Sequence, residues 1–181
     1  ALTELDCLGN QLSSLNVSQN TALIYLYCGI NQLTSLNVSQ NTALTTLECG
    51  NNQLSSLNVS QNTALIYLGC EGNQLTSLDV SQNTALELLG CGYNQLTSLN
   101  VSQNTALTWL YCYYNQLTSL DVRNGNNTNF VVPGSTTTPF MAYGNPNLTC
   151  INVDDVAWST ANWTVIDPQS FFSNNCPPSA I

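Results

Sequence analysis

Along residues 2–127 the apolar positions return in the same order every 21 residues. Aligned on cysteine, six copies begin at Leu2, Leu23, Leu44, Leu65, Leu86 and Leu107, with the frame L-x-x-L-x-C-x-x-N-Q-L-[ST]-S-L-[ND]-V-S-Q-N-T-A. A fixed period of roughly 20 to 29 residues marks a solenoid, in which each coil buries its apolar face against its neighbours. The frame also contains itself. Its second half, such as LTSLNVSQN at 33–41, reads L-x-x-L-x-V-x-x-N, a nested copy of the first half. Each coil should therefore hold a short strand at L-x-x-L-x-C and a second extended segment at L-x-x-L-x-V. Side chains alternate along a strand, so Leu26 and Cys28 are expected to point inward and Tyr25 and Tyr27 outward. Coils stacked about 4.8 Å apart line equivalent residues up as ladders. Asn10, Asn31, Asn52, Asn73, Asn94 and Asn115 form one ladder at a bend, and Asn20, Asn41, Asn62, Asn83 and Asn104 form another. Amides buried there can bond backbone groups that a bend leaves without partners.

The pattern divides the chain. Residues 1–127 hold the six repeats, and Ala1 fits the last position of a preceding copy, so the array is expected to start inside a repeat, truncated and without an N-terminal cap. Phe140-x-Ala142-x-x-Asn145 matches L-x-C-x-x-N, and Leu148-x-x-Ile151-x-Val153 matches L-x-x-L-x-V. Residues 128–153 thus read as a degenerate seventh repeat with an insertion around VVPGSTTTP. A solenoid exposes its core at its ends and needs capping there. Residues 154–176 lack the repeat and are rich in aromatics, so Trp158, Trp163, Phe171 and Phe172 are expected to cover the last coil. Residues 177–181 read as the start of a linker.

The L-x-x-L-x-C-x-x-N core resembles the leucine-rich repeat family, with Cys at the third apolar position. Its nested 21-residue form is similar to the short bacterial subclass called IRREKO and to tandem repeats of secreted or surface proteins of Bacteroidota. The resemblance implies a β-rich solenoid, a right-handed coil of about seven turns with parallel strand ladders and a C-terminal cap. It further implies an extracellular binding or adhesion role, with the ligand on the variable strand face.

Charge narrows the partners. The chain has 181 residues, no Lys or His, one Arg (Arg123), ten Asp and Glu, and a formal net charge of −9. Nucleic acid is excluded as a partner, because phosphate binding draws on Lys and Arg. No apolar run approaches the roughly 20 residues of a membrane-spanning helix. Acid–base and nucleophilic catalysis lack a His or Lys, and the acids are scattered along the chain, so no enzyme and no cofactor are expected. Asp154 and Asp155 are too few to specify a Ca²⁺ site.

Of the eight cysteines, Cys7, Cys28, Cys49, Cys70, Cys91 and Cys112 occupy the inward frame position, where a free thiol behaves as a small hydrophobe. Without a CxxC pair or a His they are not expected to bind metal. Cys150 stands in place of Ser119, off that ladder, and Cys176 ends the cap. A disulfide between them would staple the cap to the last coil and fits an oxidising compartment, hence a secreted or cell-surface location.

Comparing the copies with one another locates a candidate site. Frame positions two, three, five, seven and eight vary while nearly everything else is constant, and all five are expected to face solvent. They carry Tyr25, Tyr27, Tyr67, Tyr93, Tyr111, Tyr113 and Tyr114, with Trp109 and the acids Glu4, Asp6, Glu48, Glu71 and Glu87. Free drift would have scattered Ser39, Gln40 and Thr42 as well, yet these hardly change between copies. Diversity confined to one Tyr-rich face resembles a paratope, since Tyr offers contact area at low entropic cost. The expected ligand is a protein or a glycan held by Tyr25, Tyr27, Glu48, Tyr67, Glu71, Tyr93, Trp109, Tyr111, Tyr113 and Tyr114. Two alternatives place function on the constant face: a structural or self-assembling array, and ice binding by the ladder of Ser35, Asn37, Ser39 and their equivalents.

Overall fold

A computed structural model of the chain describes residues 1–130 and 138–177. Most of the insertion expected around 131–139, and the linker beyond Pro177, lie outside the described residues. Each L-x-x-L-x-C segment forms one short strand: β1 (Glu4–Asp6), β2 (Tyr25–Tyr27), β3 (Thr46–Glu48), β4 (Tyr67–Gly69) and β5 (Leu88–Gly90). Further along, β6 (Ser98–Asn100) and β8 (Ser119–Asp121) come from second half-repeats, while β7 (Trp109–Tyr111) and β9 (Phe140–Met141) continue the first series. The first series pairs in parallel as a seven-stranded sheet, β1-β2-β3-β4-β5-β7-β9. The register never slips: Leu5, Leu26, Leu47, Leu68, Leu89, Leu110 and Phe140 stand opposite one another. A one-residue slip would turn these side chains out of the core.

The second half-repeats pair as a sheet only late in the chain. There β6 and β8 join β10 (Cys150–Asn152) and β11 (Phe171–Ser173) in a four-stranded parallel sheet, while the same segment in the earlier coils forms no strand. Between the two faces lies one continuous core, built from residues equivalent to Leu23, Leu26, Cys28, Leu33 and Val38, all fully buried in the second to sixth coils. Each buried leucine contributes about 1.5–3 kcal/mol relative to exposure, and the same set recurs coil after coil. Cys28, Cys49, Cys70, Cys91 and Cys112 are buried free thiols, and only Cys7 at the array's edge is half-buried.

The two asparagine ladders close the bends in different ways. Asn52 Nδ2 donates to Cys49 O at 3.1 Å in its own coil and to Cys28 O at 3.0 Å in the coil before. Its Oδ1 accepts from Leu33 N at 2.9 Å, so both ends of the amide tie one coil to the next. In the second ladder Asn62 Nδ2 donates to Val38 O at 2.9 Å and Asn41 O at 2.8 Å. The Oδ1 atoms of Asn41, Asn62, Asn83 and Asn104 have no partner among the described residues.

At the C-terminal end, helix α1 (Val156–Asn162) is capped by Asp155, whose side chain accepts from Trp158 N at 2.9 Å. It delivers Trp163 onto Phe140, stacked at 4.1 Å, and against Phe130 at 5.1 Å, closing the core. Phe172 is buried beside them and Trp158 packs at the margin. Phe171 departs from expectation: it is 56% exposed, because alternation along β11 allows only one of two adjacent phenylalanines to face inward. Asp167 accepts from Gly144 N at 2.8 Å and Asn145 N at 2.6 Å. The Cys150–Cys176 disulfide, with Cα atoms 5.8 Å apart, fastens the end of the chain to β10.

Candidate ligand-binding face

The outward side of the seven-stranded sheet is a grid, one coil per row, with frame positions three, five, seven and eight as columns. Position eight has a backbone requirement of its own. Gly9, Ile30, Asn51, Gly72, Tyr93, Tyr114 and Gly144 all sit there with φ between 50° and 75°. This left-handed region suits Gly and tolerates Asn, whereas a β-branched or aromatic residue held there is strained by about 1–2 kcal/mol. Tyr93 and Tyr114 accept that strain and remain 54% and 46% exposed, their rings stacked on each other at 4.6 Å.

Around this pair an aromatic shelf forms. Tyr113 meets Tyr93 edge-on at 5.4 Å and stacks on Tyr143 at 5.4 Å, and Tyr143 meets Tyr114 edge-on at 5.2 Å. Trp109 and Tyr111 extend it, at 6.0 Å from each other and 6.4 Å from Tyr111 to Tyr113. Tyr143 was not among the residues singled out from sequence. Its signal was present, since aligning Ala142 with the cysteine row puts Tyr143 in position seven, directly after Tyr113. Among the described residues no ring contact joins Tyr25 or Tyr27 to the shelf; they stand on β2, toward the other end of the sheet.

The expectation that all five variable positions face solvent needs correction. Gly29, Gly50, Gly69, Gly90 and Gly92 are buried, because side chains of one coil lean along the solenoid onto the next. A Cβ on Gly69 would land on the Glu48 carboxylate, one on Gly90 on the Glu71 carboxylate, and one on Gly92 against the Tyr113 ring. Part of the variation is therefore paired, with a long side chain on one coil and a glycine socket on its neighbour.

The scattering of acids expected from the sequence is also corrected. The point a Gly50 Cβ would occupy lies 3.0 Å from Glu48 Oε1 and 3.5 Å from Glu71 Oε2, so the two carboxylates approach each other over this glycine. Glu48 accepts from Tyr67 OH at 3.0 Å and Gly50 N at 3.3 Å. Burial pushes the Glu48 carboxyl above its ordinary pKa, with those two hydrogen bonds opposing the shift. Glu71 is raised first by burial, against a bond from its own backbone N–H, and further by the charge of Glu48. Tyr67 is raised as well, by burial and then by Glu48. No basic side chain offsets these charges. Arg123, the only Lys or Arg in the chain, belongs to the other face and holds Asp121 at 2.6 Å.

The constant face is plainer. Ser35 and Asn37 are exposed, and Asn37 Oδ1 accepts from Ser39 N at 3.0 Å, a local turn repeated at Asn16, Asn58, Asp79 and Asn100. Inside, burial raises Cys28 to about 12, with the neighbouring Cys7 and Glu48 adding to it, so this thiol stays protonated. No helix among the described residues is long and apolar enough to cross a membrane.

One short parallel strand per coil, leucine rows closed by a cysteine, and an asparagine ladder at the bend define a leucine-rich-repeat solenoid. Solved structures agree. The functional domain of InlJ from Listeria monocytogenes, which includes a cysteine ladder, matches with a TM-score of 0.59 and 32% identity, over 94% of this chain and 48% of that one. An internalin, InlF, from Listeria monocytogenes matches at a TM-score of 0.65 and 21% identity, over 98% of this chain and 48% of its own. A leucine-rich repeat protein of Leptospira interrogans matches at 0.58 and 23% identity, over 95% and 48%. The chain thus spans about half the length of each of these structures. No protein-family model and no curated protein sequence matches it.

Proposed function

We propose that the chain is a non-catalytic recognition or adhesion module of a secreted or cell-surface protein, and that its ligand, a protein or a glycan, lies on the variable strand face. One observation carries this reading. Tyr93 and Tyr114 occupy a left-handed position that Gly or Asn fills at lower cost in other coils, and they spend that strain on rings left largely in solvent. Ring contacts within the shelf, worth about 0.5–1.5 kcal/mol each, offset that strain yet leave both rings about half exposed, which favours a further contact outside the chain. Tyr and Trp are also the side chains over-represented among residues that dominate binding energy. The Cys150–Cys176 disulfide supports an oxidising compartment.

The test is a screen of the chain against extracellular proteins and a glycan array, repeated with a Trp109→Ala, Tyr111→Ala, Tyr113→Ala variant whose melting curve matches the parent. The expected result is a loss of at least about tenfold in affinity, the scale on which interface aromatics contribute. Unchanged binding of every ligand found would remove the strand face as the site.

A further inference from the structure

The strand face has two adjoining features: the aromatic shelf of Tyr93, Tyr113, Tyr114 and Tyr143 with Trp109 and Tyr111, and beside it the carboxylates of Glu48 and Glu71, which lie over Gly50, Gly69 and Gly90. The two carboxylates approach each other over Gly50, while Glu48 fills the space above Gly69 and Glu71 that above Gly90. Among the described residues Glu48 has a hydroxyl partner, whereas Glu71 accepts only from its own backbone N–H. The shelf lies within the field of the same carboxylate, since Glu71 is among the groups that raise both Tyr111 and Tyr113. A charge beside ring faces, with no basic side chain of the chain's own to meet it, is complementary to one ligand chemistry above others. Arginine and lysine side chains combine a cationic head, which pairs with carboxylates, with affinity for the faces of Tyr and Trp.

We propose that this part of the face is a receptor for a basic segment of a protein partner, with one arginine or lysine pairing with the Glu48 and Glu71 carboxylates where they approach each other over Gly50 and a neighbouring one lying across the shelf. The inference rests on the reading of the strand face as a recognition surface and names the partner's chemistry. The glycines set where the two carboxylates lie. Their backbones are not in the left-handed region, so alanine is conformationally allowed at Gly69 and Gly90, but its methyl would displace the Glu48 and Glu71 carboxylates, the movable ends of flexible side chains. A Gly69→Ala, Gly90→Ala variant therefore keeps every charge and loses the arrangement.

The experiment measures fluorescence anisotropy of a labelled nonapeptide of alternating Arg and Ser, against the same peptide with citrulline, a neutral isostere, in place of Arg. The parent chain is expected to bind the Arg peptide at least about tenfold more tightly. Glu48→Gln with Glu71→Gln should remove most of that preference, and so should the double glycine variant. Asp79→Asn with Asp155→Asn removes the same number of charges elsewhere, at positions where Asn serves equally, and should change binding less than about twofold. Melting curves of all variants, required to show a fold no less stable than the parent's, separate a lost site from a lost fold. Equal binding of the Arg and citrulline peptides overturns the proposal, as does an equal loss in the two carboxylate variants, which would mean diffuse charge alone. Binding of chitohexaose in place of the Arg peptide would assign the face to glycans and overturn it too. If a partner found by screening is lost with Trp109→Ala, Tyr111→Ala, Tyr113→Ala yet kept with Glu48→Gln, Glu71→Gln, the basic-segment receptor fails while the recognition surface stands.

Discussion

At position eight of each coil the backbone asks for φ near +60°, and the side chain answers in one of two ways. Gly9, Gly72 and Gly144 meet the demand without strain, while Ile30, Tyr93 and Tyr114 do not. Ile30 is the most revealing, because it is β-branched, 56% exposed and remote from the aromatic shelf. Replacing Ile30 with Asn, the residue found at the same place in the next coil, should stabilise the fold by about 1 kcal/mol, read as a rise in melting temperature. A drop would mean that Ile30 is held by packing that outweighs its backbone. Comparing copies of the sequence revealed that this position varies but not why, since half of the six copies carry a residue that hides the left-handed requirement.

The paired carboxylates make a second prediction at this scale. Glu48 faces Tyr67 and Glu71, and Glu71 faces Glu48, Tyr111 and Tyr113; the tyrosines and the neighbouring buried thiols stay neutral through the acidic range, and no cation faces either group. Burial raises both carboxyls in the folded chain above their unfolded values. The stability linked to them is therefore fully present below the unfolded carboxylate pKa and is lost as pH rises through the folded one. Glu48→Gln, Glu71→Gln should accordingly melt higher than the parent at neutral pH, with the difference shrinking toward zero as pH falls through the carboxylate range. A constant difference would place its origin in packing rather than charge.

Among the elements, strand, core row and bend were legible because each repeats. Leu, Leu and Cys at fixed spacing state which side of the strand faces inward, and the asparagines mark where the chain turns. What the repeat conceals is inequality between elements that look alike. Both asparagine rows read as amide ladders, yet Asn73 Nδ2 reaches Cys49 O and Cys70 O while its Oδ1 accepts from Leu54 N, whereas Asn83 makes only its two Nδ2 bonds, to Val59 O and Asn62 O. Asn73→Ala leaves Leu54 N without its partner in the interior, at a cost of about 1–3 kcal/mol, whereas after Asn83→Ala Val59 O and Asn62 O still accept from Asn62 N and Leu65 N. Denaturant melts of the two variants should show Asn73→Ala to be the more destabilised. Equal losses would mean that the second ladder's free acceptors are satisfied in solution. Phe171 shows the other limit: in FFS either phenylalanine could face inward, and only pairing with β10 decides that Phe172 does.

Over the whole molecule, stability in a solenoid is a sum over coils and their neighbours, so the two ends set where unfolding begins. The first coil has no coil on its outer side in this structure: Leu2 and Leu8 are exposed, and Leu5, Leu12 and Leu15 are only half-buried, where their counterparts further along are almost fully covered. The last coil is closed by Trp163, Phe172 and Ile166 and fastened by the disulfide across a separation of 26 residues. Closing a loop of that size contributes roughly 3 kcal/mol by restricting the unfolded chain. Because coils are coupled only to their neighbours, that contribution should be felt locally. In Cys150→Ala, Cys176→Ala, amide hydrogen exchange is expected to quicken most at Ile151, Asn152 and Phe172, less at Leu120, and little at Leu47 and Leu68 in the middle of the array. Uniform acceleration through β3 and β4 would instead show that the chain unfolds as one cooperative unit, with the cap holding all the coils and not merely the last of them.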